Sequence, residues 1–326
     1  MKKNLSPLVY IILPIYNWER YFLEQLISIY HQNYKNRYLI IVNDWSTDSS
    51  EEIASKFISD YKLKDKVKII RKENWWLNSA ITRWFEEIKN LCDIHNTDNL
   101  VAYCDCDDIW TREKLSLQVR YMIDHPNCWL TFHDASKIDE NWILIKSSML
   151  KTVYKNMIYE KNKSFIYLST FRTYIIATEM MFKIKYIDDL LPMPLWFQDP
   201  QDYWTYLVLS LLKVEIWYID KPLAYYRSGH SSMQKKIKAQ GHVNRGKITI
   251  NILKFLQKRF PNKNISTIIS YNEDRLINRV DKWYCLIHIY ILMLFKYPEI
   301  FWIGFKAQIY RFCRFWFKAF KPIDSI

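Results

Sequence analysis

Glycine is almost missing: there are 4 in 326 residues, where average usage would give roughly 23. Glycine is the residue that takes positive φ without strain, so tight strand-to-helix turns have few natural sites here. Acidic residues are also short. The chain has 34 Asp and Glu against 47 Lys and Arg, a net charge of +13. That balance points to an anionic partner: nucleic acid, an anionic membrane surface or a phosphorylated substrate. Zinc-finger spacing, RNP-type sequence and helix-turn-helix patterns are all missing, so no nucleic acid partner is expected. Long apolar runs are missing as well. The best candidate, Cys285 to Phe295, ends at Lys296 and Pro298 and is well short of the roughly 20 residues needed to cross a bilayer. Met1-Lys2-Lys3 leads into polar Asn4 and Ser6 and not into an apolar core, so no signal peptide is expected. Cysteine is sparse, at 6 residues. Cys104 and Cys106 would point to opposite faces of a continuing strand and make a poor metal pair. Unpaired thiols of a cytosolic protein are the expectation. What the chain has in excess is aromatic residues, at 17 %, including 14 Trp.

The first third alternates short apolar runs with helical periodicity. Val9–Leu13, Tyr38–Val42, Val67–Ile70 and Leu100–Cys104 read as strands, the first ended by Pro14. Between them, Tyr21, Leu23, Leu26, Ile27 and Tyr30 recur at helical spacing. A second helix begins at Asp48, with Glu51 and Glu52 in its first turn, and a third covers Asn78–Lys89. Strands separated by helices predict an α/β fold, a mostly parallel sheet flanked by helices. Ligands of such sheets bind beyond the carboxyl ends of the strands. The polar residues there are Tyr16 and Asn17, Asn43 and Asp44, Arg71, and Asp105 to Asp108. Further on, Arg112–Met122 reads as helix, Trp129–Phe132 and Thr178–Phe182 as strands, Tyr203–Leu212 as helix and Val214–Ile219 as strand. Residues 146–170 are polar and Lys-rich without clear periodicity. Beyond about Gly241 the sequence is helical, basic and aromatic. The expected organisation is an α/β domain over 1–235 and a helical extension over 236–326.

The acidic run Asp105-Cys106-Asp107-Asp108 follows an apolar strand. Three carboxylates in four positions repel one another, and a hard divalent cation such as Mn²⁺ or Mg²⁺ offsets that cost while bridging phosphates. An acidic turn capping the next helix is the alternative.

With these residues in place, the chain resembles a family 2 glycosyltransferase of the GT-A fold. The matching segments are Leu13-Pro14-Ile15-Tyr16-Asn17, Gln32-Asn33-Tyr34, Ile41-Val42-Asn43-Asp44 with Ser46-Thr47-Asp48, Asp105-Cys106-Asp107-Asp108-Ile109-Trp110, Gln201-Asp202-Tyr203-Trp204, and Tyr218-Ile219-Asp220-Lys221-Pro222-Leu223. They follow the family's order and cover roughly residues 7 to 232. The likeness is strongest to a rhamnosyltransferase-like branch that builds surface polysaccharides. The resemblance implies a nucleotide-diphosphate sugar donor, held by about 7–125 of a catalytic domain over 1–235, with the acceptor on about 126–235. Pro14, Tyr16 and Asn17 would line its pocket with Arg71 nearby, and Asp44 would accept a hydrogen bond from the base. Asp105 and Asp107 match the Asp-x-Asp motif that binds ribose and the metal–diphosphate, with Asp108 beside them. Asp202 matches the catalytic base of an inverting displacement. Arg227 and His230 match a loop near the diphosphate, the His one place later than the family pattern. Asp202 as a helix cap and His230 as an ordinary loop residue are the alternatives.

The chain departs from the family in one direction. Trp18, Trp45, Trp75 or Trp76, Trp84 and Trp142 stand where the family has Gly, and Trp196 and Trp217 are plausible additions. A UGA codon decoded as Gly in the source would produce this pattern; a divergent, inactive protein is the competing account. Asn43 replaces the family's first Asp. Over residues 300–321, apolar Phe301, Trp302, Phe305, Phe315 and Trp316 mix with Lys306, Arg311, Arg314 and Lys318. This reads as an interfacial helix on an anionic membrane, or as a helix packed on the catalytic domain. The resemblance implies a glycan or lipid-linked acceptor and a cytoplasmic location, peripheral at the inner face of the plasma membrane. A non-catalytic nucleotide-sugar-binding protein and a nucleotidyltransferase are the rival functions. The second lacks its Gly-rich phosphate loop at Pro14 to Arg20.

Overall fold

The computed structural model describes residues 6–71, 77–95, 98–149, 175–194, 196–197, 201–212, 214–228, 241–277 and 295–298. They fall into two compact units, the first over Met1–Lys151 and Tyr174–Ser232, the second over Thr152–Thr173 and Met233–Ile326.

The first unit is built on one sheet. Its strands are β1 (Val9–Ile15), β2 (Arg37–Asn43), β3 (Val67–Arg71), β4 (Leu100–Tyr103), β5 (Ile109–Trp110), β6 (Cys128–Ile138), β7 (Leu144–Lys146), β8 (Met181–Lys183) and β9 (Glu215–Arg227). The order is β3-β2-β1-β4-β8-β6-β9-β5, with β7 paired to β6. The β3, β2, β1 and β4 neighbours are parallel. They are joined through α1 (Glu19–Tyr30), α2 (Ser50–Asp60) and α3 (Leu77–Leu91). β1 and β4 are buried along almost their whole length, as expected of parallel strands covered on both faces. Phe22, Leu26, Ile41, Ala54 and Phe57 belong to a core cluster on the α1 and α2 side. Phe85 of α3 meets Tyr103 and Phe182 in a trio of rings 5.4–6.5 Å apart.

Past β4 the pairing becomes mixed. β8 runs antiparallel to β4 and β6, β6 runs parallel to β9, and β5 runs antiparallel to β9. Helix α4 (Lys114–Asp124) packs on this half, and α5 (Gln201–Leu211) precedes β9.

Several elements differ from the sequence reading. β1 continues through Pro14 to Ile15. The Cys104 N–H donates to the Ile12 carbonyl, so even-numbered β1 residues face β4. Pairing on that side ends at Ile12 with Tyr103, and the N–H that Pro14 lacks is therefore not needed by the ladder. β9 passes through Pro222 because the β6–β9 register shifts there, from His133 opposite Ile219 to Asp134 opposite Pro222. A bulge absorbs the proline. Thr178 lies in a 3₁₀ turn, Ala177–Glu179, and the strand starts only at Met181. The Glu179 carboxylate accepts the Ile176 N–H and closes that turn. β4 stops at Tyr103, so Cys104 and Cys106 are not on opposite strand faces; both are free, buried and in one core cluster.

The second unit contains α6 (Gly241–Arg259) and α7 (Ser266–Ile277). The Gln257 side chain closes their connection, donating to the Lys263 carbonyl at 3.1 Å and accepting the Ile265 N–H at 2.8 Å. Lys254 pairs with Glu273 at 2.7 Å. Residues 300–321, Trp75, Trp76, His230, Cys285 and Cys313 lie outside the described residues. Among the described residues no helix is long and apolar enough to cross a membrane.

Candidate active site

The parallel strands end together. Ile15, Asn43 and Arg71 share one row of the register across β1, β2 and β3, so Tyr16, Asn17 and Asp44 follow at the same edge. The loops that carry them are cross-tied. Asp44 N–H donates to the Ile15 carbonyl at 2.9 Å. Asn17, at φ 56°, donates its N–H to Ser46 Oγ at 3.1 Å and accepts the Thr47 N–H at 2.8 Å. Asparagine tolerates this left-handed backbone because its short side chain bonds locally. Tyr16 is exposed, Asp44 half-buried.

Asn43 has a physical account. Its Oδ1 accepts the Ser46 N–H at 2.9 Å and its Nδ2 donates to Glu51 at 2.7 Å. An aspartate there would face the Glu51 carboxylate. Glu51 also takes the Arg71 guanidinium, which holds its carboxyl below the ordinary range. Arg71 thus sits at the strand-end edge, paired to α2.

The acidic run follows β4 directly. Cys104 and Cys106 are buried, and Gln25 of α1 donates to Cys104 Sγ at 2.6 Å. Asp105 and Asp107 alternate with them and are half-buried. Burial, then the charge of Asp107, then that of Asp202 push the Asp105 carboxyl up. Asp202 lies in the first turn of α5, its Oδ1 accepting the Tyr203 N–H at 2.6 Å. Burial is the main cause that pushes the Glu179 carboxyl and the Tyr226 hydroxyl up, with the Asp202 charge a smaller contribution to each. Tyr103 Oη, at the end of β4, lies 2.7 Å from Thr205 Oγ1 in the first turns of α5, so the start of that helix sits at the end of β4. Asp108 is fully buried. Its Oδ1 accepts the Arg227 N–H at 3.2 Å, while Oδ2 makes no hydrogen bond of ordinary length. Burial, Asp107 and Asp105 push its carboxyl well up.

Arg227 closes the site from β9. Its Nε donates to the Asp107 carbonyl at 3.1 Å, and its Nη2 pairs with Glu24 of α1 at 2.7 Å. The guanidinium lies 4.3 Å from the centre of the Tyr21 ring, and the side chain is 1 % exposed. Glu24 and Tyr21 were not legible as site residues; their only signal is helical spacing on α1 beneath the strand-end loops. Also missed was a buried polar layer beneath the acidic run. The Lys114 ammonium sits 3.9 Å over the Trp110 ring and donates to Gln118 at 2.8 Å. Trp110 Nε1 donates to Thr178 at 2.8 Å.

The donor set suits a hard divalent ion. Oxygen ligands and their mutual repulsion both favour a cation at this end of β4. Among the described residues no group of three or more His, Cys, Asp or Glu side chains is gathered to hold a metal by protein ligands alone. Mg²⁺ sites that use substrate phosphates need only one or two carboxylates.

EpsE of Bacillus subtilis (strain 168), named as a candidate glycosyltransferase, is 35 % identical over 123 residues, 37 % of this chain and 41 % of its own length. The uncharacterized glycosyltransferase RP339 of Rickettsia prowazekii is 31 % identical over 167 residues, 50 % of this chain and 46 % of its own. The chain spans less than half the length of these relatives. S. aureus TarS 1–349 in complex with UDP superposes with a TM-score of 0.55 at 15 % identity, over 87 % of this chain and 74 % of that one. The mannosyltransferase PcManGT of Pyrobaculum calidifontis, in complex with GDP-Man and Mn²⁺, gives 0.54 at 14 % identity, over 93 % and 85 %. At such identities the likeness establishes the fold, which is GT-A. Residues 10–190 match the sequence profile of glycosyl transferase family 2, and the chain belongs to that family.

Proposed function

We propose that this chain transfers a sugar from a nucleotide-diphosphate donor to a glycan or lipid-linked acceptor, with inversion and with Mn²⁺ or Mg²⁺, in the synthesis of a surface polysaccharide. The observation that carries this reading is the seating of α5 on the end of β4, where Tyr103 Oη lies 2.7 Å from Thr205 Oγ1, three residues on from Asp202. Pro14, Tyr16, Asn17 and Asp44 line the edge where a nucleotide would lie. Asp105 and Asp107 would hold the divalent ion, with Asp108 behind them; His230 is a further candidate beyond the described residues. The ion, when bound, supplies Lewis-acid stabilisation of the leaving diphosphate. Asp202 takes the proton of the acceptor hydroxyl as that oxygen bonds to the anomeric carbon. The anomeric carbon–oxygen bond to the diphosphate breaks on the opposite face.

Relatives and neighbours support the donor class. TuaG of Bacillus subtilis is named for teichuronic acid biosynthesis, and TarS and PcManGT were crystallised with UDP-GlcNAc and GDP-Man. A lipid-linked acceptor would place the enzyme at the inner face of the plasma membrane, with the basic aromatic tail as its contact. The deciding experiment is a donor screen with UDP-, dTDP- and GDP-sugars and Mn²⁺. Asp202→Asn is expected to lower turnover by about 10²–10⁴-fold and to keep donor binding. Wild-type protein that neither binds nor turns over any donor rules the reading out. Donor binding without turnover leaves the non-catalytic rival in its place. Liposome pelleting with and without residues 285–326 tests the membrane contact, which equal binding would refute.

A further inference from the structure

We propose that Arg227 is a positioning residue that fixes the main chain at Asp107, with Glu24 holding its guanidinium in place and away from the diphosphate. The inference rests on the donor-site reading above and replaces a direct phosphate contact by Arg227. Three observations carry it. The short β5 pairs antiparallel with β9, Ile109 opposite Tyr225 and Trp110 opposite Ala224. Continued by two residues, that register sets Arg227 opposite Asp107. The bonds follow it: Arg227 N–H to Asp108 Oδ1, Arg227 Nε to the Asp107 carbonyl, and at the far end Thr111 N–H to the Leu223 carbonyl at 3.0 Å. Secondly, the guanidinium is spent. Glu24 holds Nη2 at 2.7 Å and the Glu140 carbonyl lies 3.4 Å from Nη1. Thirdly, the guanidinium lies 4.3 Å from the centre of the Tyr21 ring on α1, a contact independent of Trp142, whose ring is 5.3 Å away on the β9 side. A phosphate-binding arginine needs its fork open toward the ligand. This one joins the acidic run to α1, the helix that follows the Asn17 loop.

Calorimetric binding of UDP and of GDP, each with MnCl₂ and with EDTA, separates the two roles. Positioning predicts that Glu24→Gln and Arg227→Ala both weaken the Mn²⁺-dependent binding, roughly 10–100-fold for the arginine. The metal-free binding stays unchanged, and guanidinium ion restores Arg227→Ala in part. Direct phosphate contact predicts the opposite for Glu24→Gln: unchanged or tighter binding, since a competitor for the arginine is gone. That result overturns the proposal. Glu24 is 41 % exposed, so its variant keeps the fold even where Arg227→Ala does not. Wild-type protein with no Mn²⁺-dependent uptake refutes the donor-site reading itself, a different outcome from either.

A second inference stands on separate observations. The geometry points to glycine, and not tryptophan, as the natural residue at positions 45 and 142. Trp45 and Trp142 sit at φ 66° and φ 67°, a region where a bulky residue is an outlier costing about 1–2 kcal/mol. They are 59 % and 50 % exposed, so burial does not offset the strain. Trp84 and Trp217, also at suspect positions, have indole N–H groups that are buried without a partner. Trp18 has ordinary φ at −123° and adds nothing either way. The gene decides: UGA codons at 45 and 142 with UGG at 110 and 204 confirm glycine decoding, and UGG at 45 and 142 refutes it. The intact mass of protein from its source cells, lower than the written sequence by whole multiples of the Trp–Gly difference, is the independent check.

Discussion

Two tryptophans in the interior of this molecule and two in its turns stand in different surroundings. Trp110 and Trp204 lie in the core, and each indole N–H has a partner: Thr178 Oγ1 at 2.8 Å and the Leu190 carbonyl at 3.0 Å. Trp45 and Trp142 lie in turns, exposed and with left-handed backbone. A core tryptophan combines a large apolar surface with a satisfied donor. A turn tryptophan at positive φ has strain and little burial. The contrast teaches that composition alone misleads here: the same residue type is structural at positions 110 and 204 and a misfit at 45 and 142.

The sharpest test of the first half is Trp204→Ala, expected to cost about 3–5 kcal/mol as a large buried side chain; urea unfolding measures it, and a loss below 1 kcal/mol would break the comparison. Next in size is a pH effect beside Trp110. The Lys114 ammonium over that ring is fully buried, and desolvation lowers its pKa from 10.5 to about 7. The folded value lies below the unfolded one, so between those two values the native state binds fewer protons. Stability should therefore climb as pH rises from about 7 toward 10.5, by a few kcal/mol in order of magnitude. The difference curve between wild type and Lys114→Met should hold this climb, and parallel curves would refute the assignment. Smaller again is Trp110→Phe, which leaves Thr178 without its donor at a cost of about 1–3 kcal/mol, read as a lowered midpoint in denaturant. Smallest, and opposite in sign, are Trp45→Gly and Trp142→Gly. Relief of about 1–2 kcal/mol of strain is partly offset by about 0.4–1 kcal/mol of added unfolded-state entropy. Each should raise stability slightly, with the pair additive because the sites are separate turns; a loss in either would reverse the comparison.

Much of the first half of the fold was legible. β1 to β4 are apolar runs, and the helices between them keep a 3.6-residue apolar stripe, both local signals. The second half was less so. β5, β7 and β8 have two or three residues each, too few for periodicity to register, and β9 carries a proline that argues against a strand until the bulge is known. The strand-end position of Asn17, Asp44 and Asp105 followed from the parallel topology. That Glu24 would meet Arg227, 203 positions away, did not, because nothing local links an exposed helical glutamate to a distant strand end.

The sequence by itself determined the alternating elements, the acidic run at a strand end and the family. These depend on neighbouring residues and on spacing, which the chain carries without folding. Only the tertiary structure decided that α5, which carries Asp202, seats on the end of β4, that Arg227 turns to Asp107 and Glu24, and that Trp45 and Trp142 occupy left-handed turns. Those outcomes depend on non-local strand pairing and on φ, which the folded packing sets and residue identity alone does not.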